Sequence, residues 1–363
     1  MFRKGSVLVA MSGGVDSSVA ACLLHKQGYE VLGSHMKLLH LPGGGVDHGC
    51  CGPRARADAE SVARIAGFGF EVVDMSEVFE ETVLADFFAE HEAGRTPNPC
   101  VRCNESVKFG AFLARAEALG MDFVATGHYA RTSRDGNGSW HLLKGTDSRK
   151  DQSYMLHTLG QRELARSLFP VGGLAKAETR AHAARLGLPV ANKRDSQEVC
   201  FVPGADHAAF VREFAPWMVR EGDVVDANGK VLGKHSGTFA FTVGQRRGLG
   251  ISTGERTYVV EVDAKANRVV VGPEELLARR GLTADRVAWV AGVPPASSTF
   301  EAEARLRYKG DDVPSVVHAE GDRVRVAFRA PQRGVAPGQS VVFYRGEELL
   351  GGGRIVTSTP WRP

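Results

Sequence analysis

The chain lacks any stretch of roughly 18 consecutive apolar residues, the length that a membrane-spanning helix requires. Residues 1–4 precede only a five-residue apolar run, which is too short for the core of a secretory signal peptide. A strong charge excess is also missing, because 45 Lys and Arg residues face 42 Asp and Glu residues, a net charge of +3. We therefore expect a soluble, cytoplasmic protein without a membrane partner, whose weakly basic balance permits a nucleic-acid partner without requiring one.

Two common phosphate-binding patterns are absent as well, namely G-x-x-x-x-G-K-[ST] and G-x-G-x-x-G. Instead, the sequence SGGVDSS occupies 12–18, directly after the apolar run at 7–11. Two consecutive glycines let the backbone approach an anion closely, and the amides and dipole of a following helix favour negative charge. The pattern predicts a phosphate cradle and resembles the PP-loop of enzymes that adenylate an oxygen with ATP; the alternative is a plain Gly-Ser turn.

Strand and helix patterns alternate over residues 1–200. We expect strands at 7–11, 30–36, 70–75 and 123–127, and helices at 18–27, 55–66, 77–92, 109–119 and 176–186. Glycines that suit the position after a helix follow several of them: Gly28, Gly67, Gly120 and Gly187. This order predicts an α/β domain with a doubly wound parallel sheet and a ligand site at the carboxyl ends of its strands.

The pattern changes near residue 205. A helix is expected at 207–214, followed by short strands and many glycines, and from about residue 282 the chain reads as all-β. The segments 301–308 and 323–328 alternate polar and apolar residues, and strands continue at 340–344 and 348–350. We therefore expect a PP-loop domain at 1–205, a small central domain at 206–275 and a C-terminal β-barrel at 280–363.

The chain has only six cysteines, and an intracellular protein keeps them reduced, so clustered cysteines indicate catalysis or metal binding more than structural disulfides. Cys100 and Cys103 form a C-x-x-C pair in a Pro-rich loop, a weak signal shared by zinc, redox and cluster sites. Cys200 follows the polar run DSQ at 195–197, which suggests a site. We expect Cys22 to be a core residue, and Cys50 and Cys51 to have no catalytic role.

Several motifs together resemble one family, the tRNA-specific 2-thiouridylases (MnmA). They run in order through the whole chain: SGGVDSSVA at 12–20, HMK at 35–37, GRTPNP at 94–99, CN at 103–104, KF at 108–109, ATGHYA at 125–130, KDQSY at 150–154, LFPVG at 168–172, CF at 200–201, TVGQRRGLG at 242–250, RY at 307–308, PGQSVVFY at 337–344 and LGGG at 350–353. Because the match spans the chain, it is far more specific than the PP-loop alone.

The resemblance implies an enzyme that replaces the C2 oxygen of the wobble uridine in tRNA(Lys), tRNA(Glu) and tRNA(Gln) by sulfur, with ATP and Mg²⁺. ATP adenylates the oxygen, and a sulfur carried on a cysteine then displaces AMP. The implied catalytic residues are Asp16, Cys103 and Cys200, with Cys200 as the persulfide carrier and a Cys103–Cys200 disulfide left after sulfur release. The implied ATP contacts are Ala10, Met11, Ser12, Gly13, Gly14, Val15, Asp16, Ser17, Met36 and Gly127.

The same resemblance implies how the tRNA anticodon loop is held. Asn98, Pro99 and Cys100 are expected to lie against the target base, which must be extruded from its stack. Further tRNA contacts are implied for His128, Lys150, Asp151, Gln152, Arg307, Tyr308 and Gln339. The sulfur donor is expected to be a cysteine desulfurase or a sulfur-relay protein, and we expect the enzyme to be a monomer.

The sequence departs from the family pattern at one position, since many members have Asp where this chain has Cys100. Cys100, Cys103 and Cys200 therefore form a candidate ligand set for a [4Fe–4S] cluster that leaves one iron for a sulfide. In that case the three cysteines are ligands and the persulfide roles are wrong. The sequence leaves both routes open.

Two functions of other classes compete with thiolation. A PP-loop ligase or amidotransferase acting on a small molecule would adenylate its substrate without tRNA and would not need Cys103 or Cys200. A sulfur or cluster carrier without enzymatic activity would load sulfur without turning over ATP. The SGGVDSS loop argues against the carrier, and the distant cysteine pair argues against the plain ligase.

Overall fold

The structure, a computed structural model, describes residues 4–39, 52–195, 199–202, 206–252, 254–295 and 297–361. Cys50 and Cys51 lie outside these described residues, so the prediction made for them is not addressed by the fold. Among the helices in the described ranges, none has the length and apolar character needed to cross a bilayer.

A five-stranded parallel sheet forms the N-terminal region, in the order β3-β2-β1-β4-β7. Its strands are β1 (Ser6–Ala10), β2 (Glu30–Lys37), β3 (Gly69–Asp74), β4 (Phe123–Ala125) and β7 (Ser167–Leu168). The order reverses between β1 and β4, so the carboxyl ends of these two strands border the crevice where doubly wound sheets bind ligands. The predicted fold class, α/β with a central domain and a C-terminal barrel, is confirmed.

Both faces of β1 are buried, as a central parallel strand requires. Val7 and Val9 pack into one apolar cluster with helix α1 (Val15–Lys26), and Leu8 and Ala10 pack into a second cluster on the opposite face. The second cluster also contains Cys103. Residues that alternate along one strand thus connect the end of β1 to two separate cores, which fixes the position of the loop that follows it.

The remaining helical segments of the N-terminal region are α2 (Pro53–Ala66), α3 (Ser76–Phe79), a π-helical turn at Glu80–Leu84, α4 (Ala85–Glu92), α5 (Pro99–Arg102), a π-helical segment at Cys103–Ala111, α6 (Phe112–Ala118), a 3₁₀ turn at Ser153–Leu156, α7 (Gln161–Ala165) and α8 (Lys176–Arg185). The predicted strands and most predicted helices agree with these within three residues.

One prediction in this region is wrong. Cys100 and Cys103 were expected in a loop that precedes a helix at 109–119, but the helical run begins ten residues earlier, at Pro99. Asn98 caps this run, since its Oδ1 accepts a hydrogen bond from Val101 N at 3.5 Å, and proline suits the first helical position. Both cysteines therefore lie on helical backbone, with more fixed positions than a loop would give them.

The central region follows α9 (His207–Phe214), a helix found at its predicted bounds, and a 3₁₀ turn at Pro216–Met218. It is a four-stranded sheet in the order β10-β11-β8-β9 with its own small apolar core. The strands are β8 (Gly222–Asp226), β9 (Val231–His235), β10 (Tyr258–Asp263) and β11 (Arg268–Gly272), with 3₁₀ turns at Thr238–Ala240 and Glu274–Leu277.

The C-terminal region is a closed antiparallel barrel, because β12 pairs with both β15 and β17. Its strands are β12 (Arg279–Trp289), β13 (Thr299–Arg305), β14 (Asp312–Glu320), β15 (Arg323–Gln332), β16 (Ser340–Arg345) and β17 (Glu348–Pro360). A hairpin from the N-terminal region, β5 (Ala130–Arg134) and β6 (Trp140–Lys144), pairs through β6 with β17. This hairpin was not predicted, and it joins the N-terminal region to the barrel.

Candidate active site at the carboxyl ends of the parallel strands

The SGGVDSS loop closes on itself between β1 and α1. Ser12 N donates to Ser17 Oγ at 3.2 Å, while the hydroxyls of Ser17 and Ser18 donate to Gly14 O at 3.3 and 2.8 Å. Gly14 is the residue that precedes the first helical turn, so α1 begins three residues earlier than predicted. The backbone amides at the start of α1 therefore face the sheet edge beside the loop, an arrangement that suits an anion.

Two glycines make this packing sterically feasible. Gly13 has a φ of +67°, and a Cβ at this position would lie 2.1 Å from Ala55 O. Gly127, just beyond β4, lies so close to the first turn of α1 that a Cβ would be 2.5 Å from Ser17 N. The structure thus brings the predicted ATP contacts of the loop and Gly127 together at one crevice. Met36, the last predicted ATP contact, lies next to the end of β2, where Met11 N donates to Ser34 O at 2.8 Å.

Asp16 is the centre of a polar cluster in the first turn of α1. Its Oδ1 accepts hydrogen bonds from the Tyr129 hydroxyl at 2.8 Å and from Lys176 Nζ at 2.6 Å. Burial, and then the charge of Asp16, raises the pKa of Tyr129, so this hydroxyl remains a neutral donor. Lys193 Nζ donates to Gly13 O at 2.9 Å on the other side of the loop. Tyr129, Lys176 and Lys193 are thus residues of the site to which the sequence patterns gave no individual role.

Asp195 binds three cations close to this cluster. Its carboxylate lies 2.7 Å from Lys150 Nζ, 2.9 Å from Lys176 Nζ and 2.7 Å from Arg180 Nη2. Burial alone would raise the pKa of Asp195, but the hydrogen bonds from Lys150 and Lys176 outweigh it and lower the pKa to about 2. Asp195 is therefore ionised throughout the neutral range, and it holds Lys150, a predicted tRNA contact, beside the Asp16 cluster.

His128 lies at the buried side of the crevice. Its Nδ1 is 2.7 Å from Thr126 Oγ1, and its ring is near the rings of Phe109 and Phe169, with centroids at 6.2 and 6.4 Å. Burial, and then the charge of Lys108, holds the pKa of His128 well below its ordinary value. The imidazole is therefore neutral at neutral pH and is suited to hydrogen bonding and packing.

Two of the three candidate cysteines, Cys103 and Cys200, lie at one apolar cluster. Cys103 is a buried member of it, and Cys200 packs against it from a partly exposed position. Phe201 anchors the Cys200 segment, since its ring lies 5.4 Å from Phe79 and 5.5 Å from Phe87. Cys22 is buried in the other cluster, as predicted, and burial raises the pKa of its thiol to about 11.

Within the ranges that the structure describes, no group of three or more His, Cys, Asp or Glu side chains is arranged to hold a metal ion. Cys100, Cys103 and Cys200 are all described, so the donor set of a [4Fe–4S] cluster is not assembled in this conformation. The residues present do not fit that group, and no step below depends on it.

Tyr308 and Gln152 connect Cys100 to the crevice. Burial, followed by the charges of Asp151 and Cys100, raises the pKa of Tyr308 to about 12, and Gln152 makes a hydrogen bond with the Tyr308 side chain. Gln152 Oε1 also accepts a hydrogen bond from Tyr129 N at 3.0 Å. Arg307, the neighbouring predicted tRNA contact, is exposed on the surface.

Asp151 and Gln339 were predicted to contact tRNA, but their positions favour internal roles. Asp151 is 6 % exposed and accepts hydrogen bonds from Gly145 N, Ser153 N and Arg305 Nη1 at 3.0, 3.0 and 2.8 Å. A carboxylate with this many internal donors is held as part of the fold. Asp151 therefore has a structural role inside the protein, and its contact with tRNA stays a prediction.

Gln339 holds the loop that carries Asn98. Its Nε2 donates to Thr96 O at 3.1 Å and to Pro97 O at 3.0 Å, while Thr96 N donates to Pro337 O at 2.8 Å. These bonds join the C-terminal barrel directly to the segment that precedes Cys100. Gln339 therefore fixes the segment that leads to Cys100 against the barrel.

A buried charge network reinforces the same junction. Glu90 is almost fully buried, and it accepts hydrogen bonds from Arg95 Nε at 2.7 Å and from Arg354 Nη1 of the barrel at 2.5 Å. Arg354 also pairs with Asp285 at 2.7 Å. Because one buried carboxylate is shared between two domains, separating them would leave a desolvated charge without its partners.

Three family models match the chain in succession. They are described as a tRNA methyl transferase HUP domain at 5–204, a tRNA methyl transferase PRC-barrel domain at 208–273 and an aminomethyltransferase β-barrel domain at 279–355.

Curated relatives match nearly the full length. A tRNA-specific 2-thiouridylase MnmA from Geobacter metallireducens is 49 % identical over 355 residues, covering 96 % of each chain. Proteins of the same name from Geotalea uraniireducens and Acidothermus cellulolyticus are 46 % and 47 % identical, covering 97 % and 96 % of this chain and 95 % and 97 % of theirs.

Proposed function

This chain belongs to the tRNA-specific 2-thiouridylase family MnmA, and we propose that it thiolates the wobble uridine of tRNA(Lys), tRNA(Glu) and tRNA(Gln). It is a tRNA-uridine sulfurtransferase of the ATP-using PP-loop class. The choice of tRNAs, the adenylation step and the persulfide chemistry are the parts that we infer.

The observation that supports the proposal best is a set of interactions that leads from the PP-loop towards the cysteine-bearing helix. The Tyr129 hydroxyl donates to Asp16, Tyr129 N donates to Gln152, and Gln152 interacts with Tyr308, whose pKa is raised in part by the charge of Cys100. A phosphate cradle and candidate sulfur-transfer groups thus border the same crevice. A ligase that acts on a small molecule would not need the candidate sulfur-transfer groups.

The first step that we infer is adenylation. The C2 oxygen of the uridine attacks the α-phosphorus of ATP, the bond to the β-phosphate breaks, and pyrophosphate leaves. The amides at the start of α1 and the hydroxyls of Ser12 and Ser17 are placed to hold the departing anion. Magnesium, when bound, would neutralise phosphate charge during this displacement, and Asp16 is the carboxylate best placed to hold it.

The second step that we infer is sulfur transfer from a persulfide on Cys200, supplied by a cysteine desulfurase or a sulfur-relay protein. The Cys103 thiolate attacks the Cys200 sulfur, the S–S bond of the persulfide breaks, and hydrosulfide is released. Hydrosulfide attacks C2 and expels AMP, while a Cys103–Cys200 disulfide remains for an external thiol to reduce. The shared apolar cluster of the two cysteines supports their pairing.

Nucleoside mass spectrometry tests the proposal directly. Unmodified tRNA(Lys), tRNA(Glu) and tRNA(Gln) are incubated with the protein, Mg-ATP and a sulfur source. Wobble 2-thiouridine that requires ATP supports the proposal. If neither persulfide-loaded nor anaerobically reconstituted protein forms it on any of the three tRNAs, the proposed substrates are wrong.

The cluster route makes a different prediction from the persulfide route. Iron and sulfide analysis of protein purified without oxygen separates them, with Cys100→Ala as the informative variant. A stoichiometric cluster that is lost in this variant would favour the cluster. Iron-free protein that remains active, with or without the Cys100 thiol, would favour the persulfide.

We expect Gln339→Ala to lower the thiolation rate about tenfold while tRNA affinity changes less than about threefold. The variant removes two hydrogen bonds that hold Thr96 and Pro97, so the loop at the target base loses order without losing charge. Single-turnover rates and tRNA binding are measured separately. Gln161→Ala is the matched control, because Gln161 Nε2 also joins the two regions, donating to Trp140 O and Val290 O at 2.8 Å, away from this loop. Equal rates in both variants would contradict the positioning role.

We also expect tRNA affinity to fall about tenfold or more between 50 and 200 mM salt, roughly what a few phosphate contacts produce. Arg307 is exposed, and a cleft of about 430 Å³ in the central region is lined by Arg246 and Arg256. In filter binding, Arg307→Gln should reduce the slope of log affinity against log salt concentration by about one, the change expected for one lost phosphate contact. Arg325→Gln is the control and should leave the slope unchanged, because Arg325 is exposed and pairs with Glu320. Salt-independent affinity would exclude phosphate contacts as a main source of binding.

A further inference from the structure

Lys176 is a lysine of the crevice to which neither the family motifs nor the steps above assign a role. It is the first residue of α8, and its side chain is only 12 % exposed. Its Nζ lies 2.6 and 2.7 Å from the two oxygens of Asp16 and 2.9 Å from Asp195 Oδ1. The ammonium group is therefore held between two carboxylates directly beside the first turn of α1.

The location of this pair argues against a purely structural ion pair. Asp16 is separated by a single residue from Gly14, which precedes the helix amides that form the predicted phosphate cradle. An ammonium group that neutralises Asp16 here also lies within a side chain's reach of any anion bound at the cradle. Because phosphate oxygens carry more charge than one carboxylate, a polyphosphate would compete with Asp16 for the lysine.

Asp195 makes such an exchange feasible without leaving a buried charge unpaired. It keeps Lys150 at 2.7 Å and Arg180 at 2.7 Å when Lys176 turns away. Asp16 likewise keeps the hydrogen bond from the Tyr129 hydroxyl. Loss of the sole partner of a buried charge is strongly destabilising, whereas here each carboxylate retains a donor.

We propose that Lys176 is a polyphosphate-binding residue, whose ammonium group moves from Asp16 to the β- and γ-phosphate oxygens when Mg-ATP enters the crevice. The proposal rests on the proposed use of ATP by this site. Asp16 is then released to face magnesium, and Asp195 acts as the positioning residue that keeps Lys176 at the crevice. Lys176 thereby distinguishes ATP and pyrophosphate from AMP, which has no β- or γ-phosphate.

Calorimetric titration of Lys176→Met with Mg-ATP, Mg-pyrophosphate and AMP tests this. A charge-assisted contact of this kind is expected to account for about 10- to 100-fold in affinity for ATP and pyrophosphate, with AMP affinity changed less than about threefold. Lys144→Met is the matched control, because Lys144 pairs with Asp312 at 2.6 Å at similar exposure on the barrel side. It should leave all three affinities unchanged.

Equal loss of affinity for AMP and ATP, or no loss for either, would overturn the role of Lys176. Absence of ATP binding by the unmodified protein would instead refute the proposed use of ATP, so the two failures are distinguishable. If Lys176→Met does not fold, Lys176→Gln replaces it, because the amide can still donate a hydrogen bond to Asp16 but carries no charge. This variant should lower the affinity for pyrophosphate more than the affinity for AMP; an unchanged affinity for pyrophosphate would refute the proposal.

Discussion

Replacement of Cys200 by serine is expected to abolish 2-thiouridine formation while leaving the affinity for ATP within about twofold. A hydroxyl cannot form the proposed persulfide, and Cys200 packs against the apolar cluster that contains Cys103. Phe201 packs against Phe79 and Phe87, so the neighbouring backbone should stay in place in the variant. Nucleoside mass spectrometry with persulfide-loaded protein measures the product, and titration calorimetry measures ATP binding.

Two further variants make this experiment specific. Cys103→Ser should still accept a sulfur atom on Cys200, visible as a mass increase of the Cys200 peptide, but should not release it to tRNA. Cys22→Ala is the control, since this thiol is buried in the core on the far face of the sheet, where burial raises its pKa to about 11. Product from Cys200→Ser at the level of the unmodified protein would exclude Cys200 from sulfur transfer by either route.

The sheet and its crevice could be predicted because their signals are local. The alternation of Val7, Leu8 and Val9 into two cores, and the glycines after β1, identify a buried strand that runs into a cradle. The barrel could likewise be predicted, because polar and apolar residues alternate along its strands. Even the unpredicted hairpin has a local signal, because Asp135 precedes Gly136, Asn137 and Gly138, a typical tight-turn sequence.

The polar cluster could not be predicted in the same way. Lys176 lies 160 positions from Asp16 along the chain, and Lys193 lies 180 positions from Gly13. No periodicity or spacing connects residues that meet only after the sheet has formed. Tyr129 stands within the ATGHYA motif, but its contact with Asp16 depends on the close approach of β4 and α1.

Gln339 shows that a motif does not reveal which contacts a residue makes inside the fold. Its position in PGQSVVFY points to a functional residue, but only the fold shows that the amide reaches the backbone of Thr96 and Pro97. Thr96 Oγ1 is also 3.3 Å from Thr242 Oγ1 in the central region. The segment that is predicted to lie at the target base therefore contacts both the central region and the barrel, which together fix its position.

Gly127→Ala is expected to weaken Mg-ATP binding about 100-fold and to lower the free energy of unfolding by about 1–3 kcal/mol. The added Cβ would lie 2.5 Å from Ser17 N and 2.7 Å from the carbonyl carbon of Asp16, and both are backbone atoms of α1. Because a backbone cannot turn away as a long side chain can, the first turn of α1 must shift. Its amides would then no longer converge on the phosphate position.

Gly136→Ala is the matched control, since a Cβ there meets no heavy atom within 4 Å. Denaturant unfolding and calorimetric titration on both variants separate a general loss of stability from a local loss of the cradle. If Gly127→Ala bound Mg-ATP as well as the control, the nucleotide phosphates could not depend on the start of α1. The close approach of β4 to α1 would then serve packing alone, and the order reversal between β1 and β4 would not mark the ATP site.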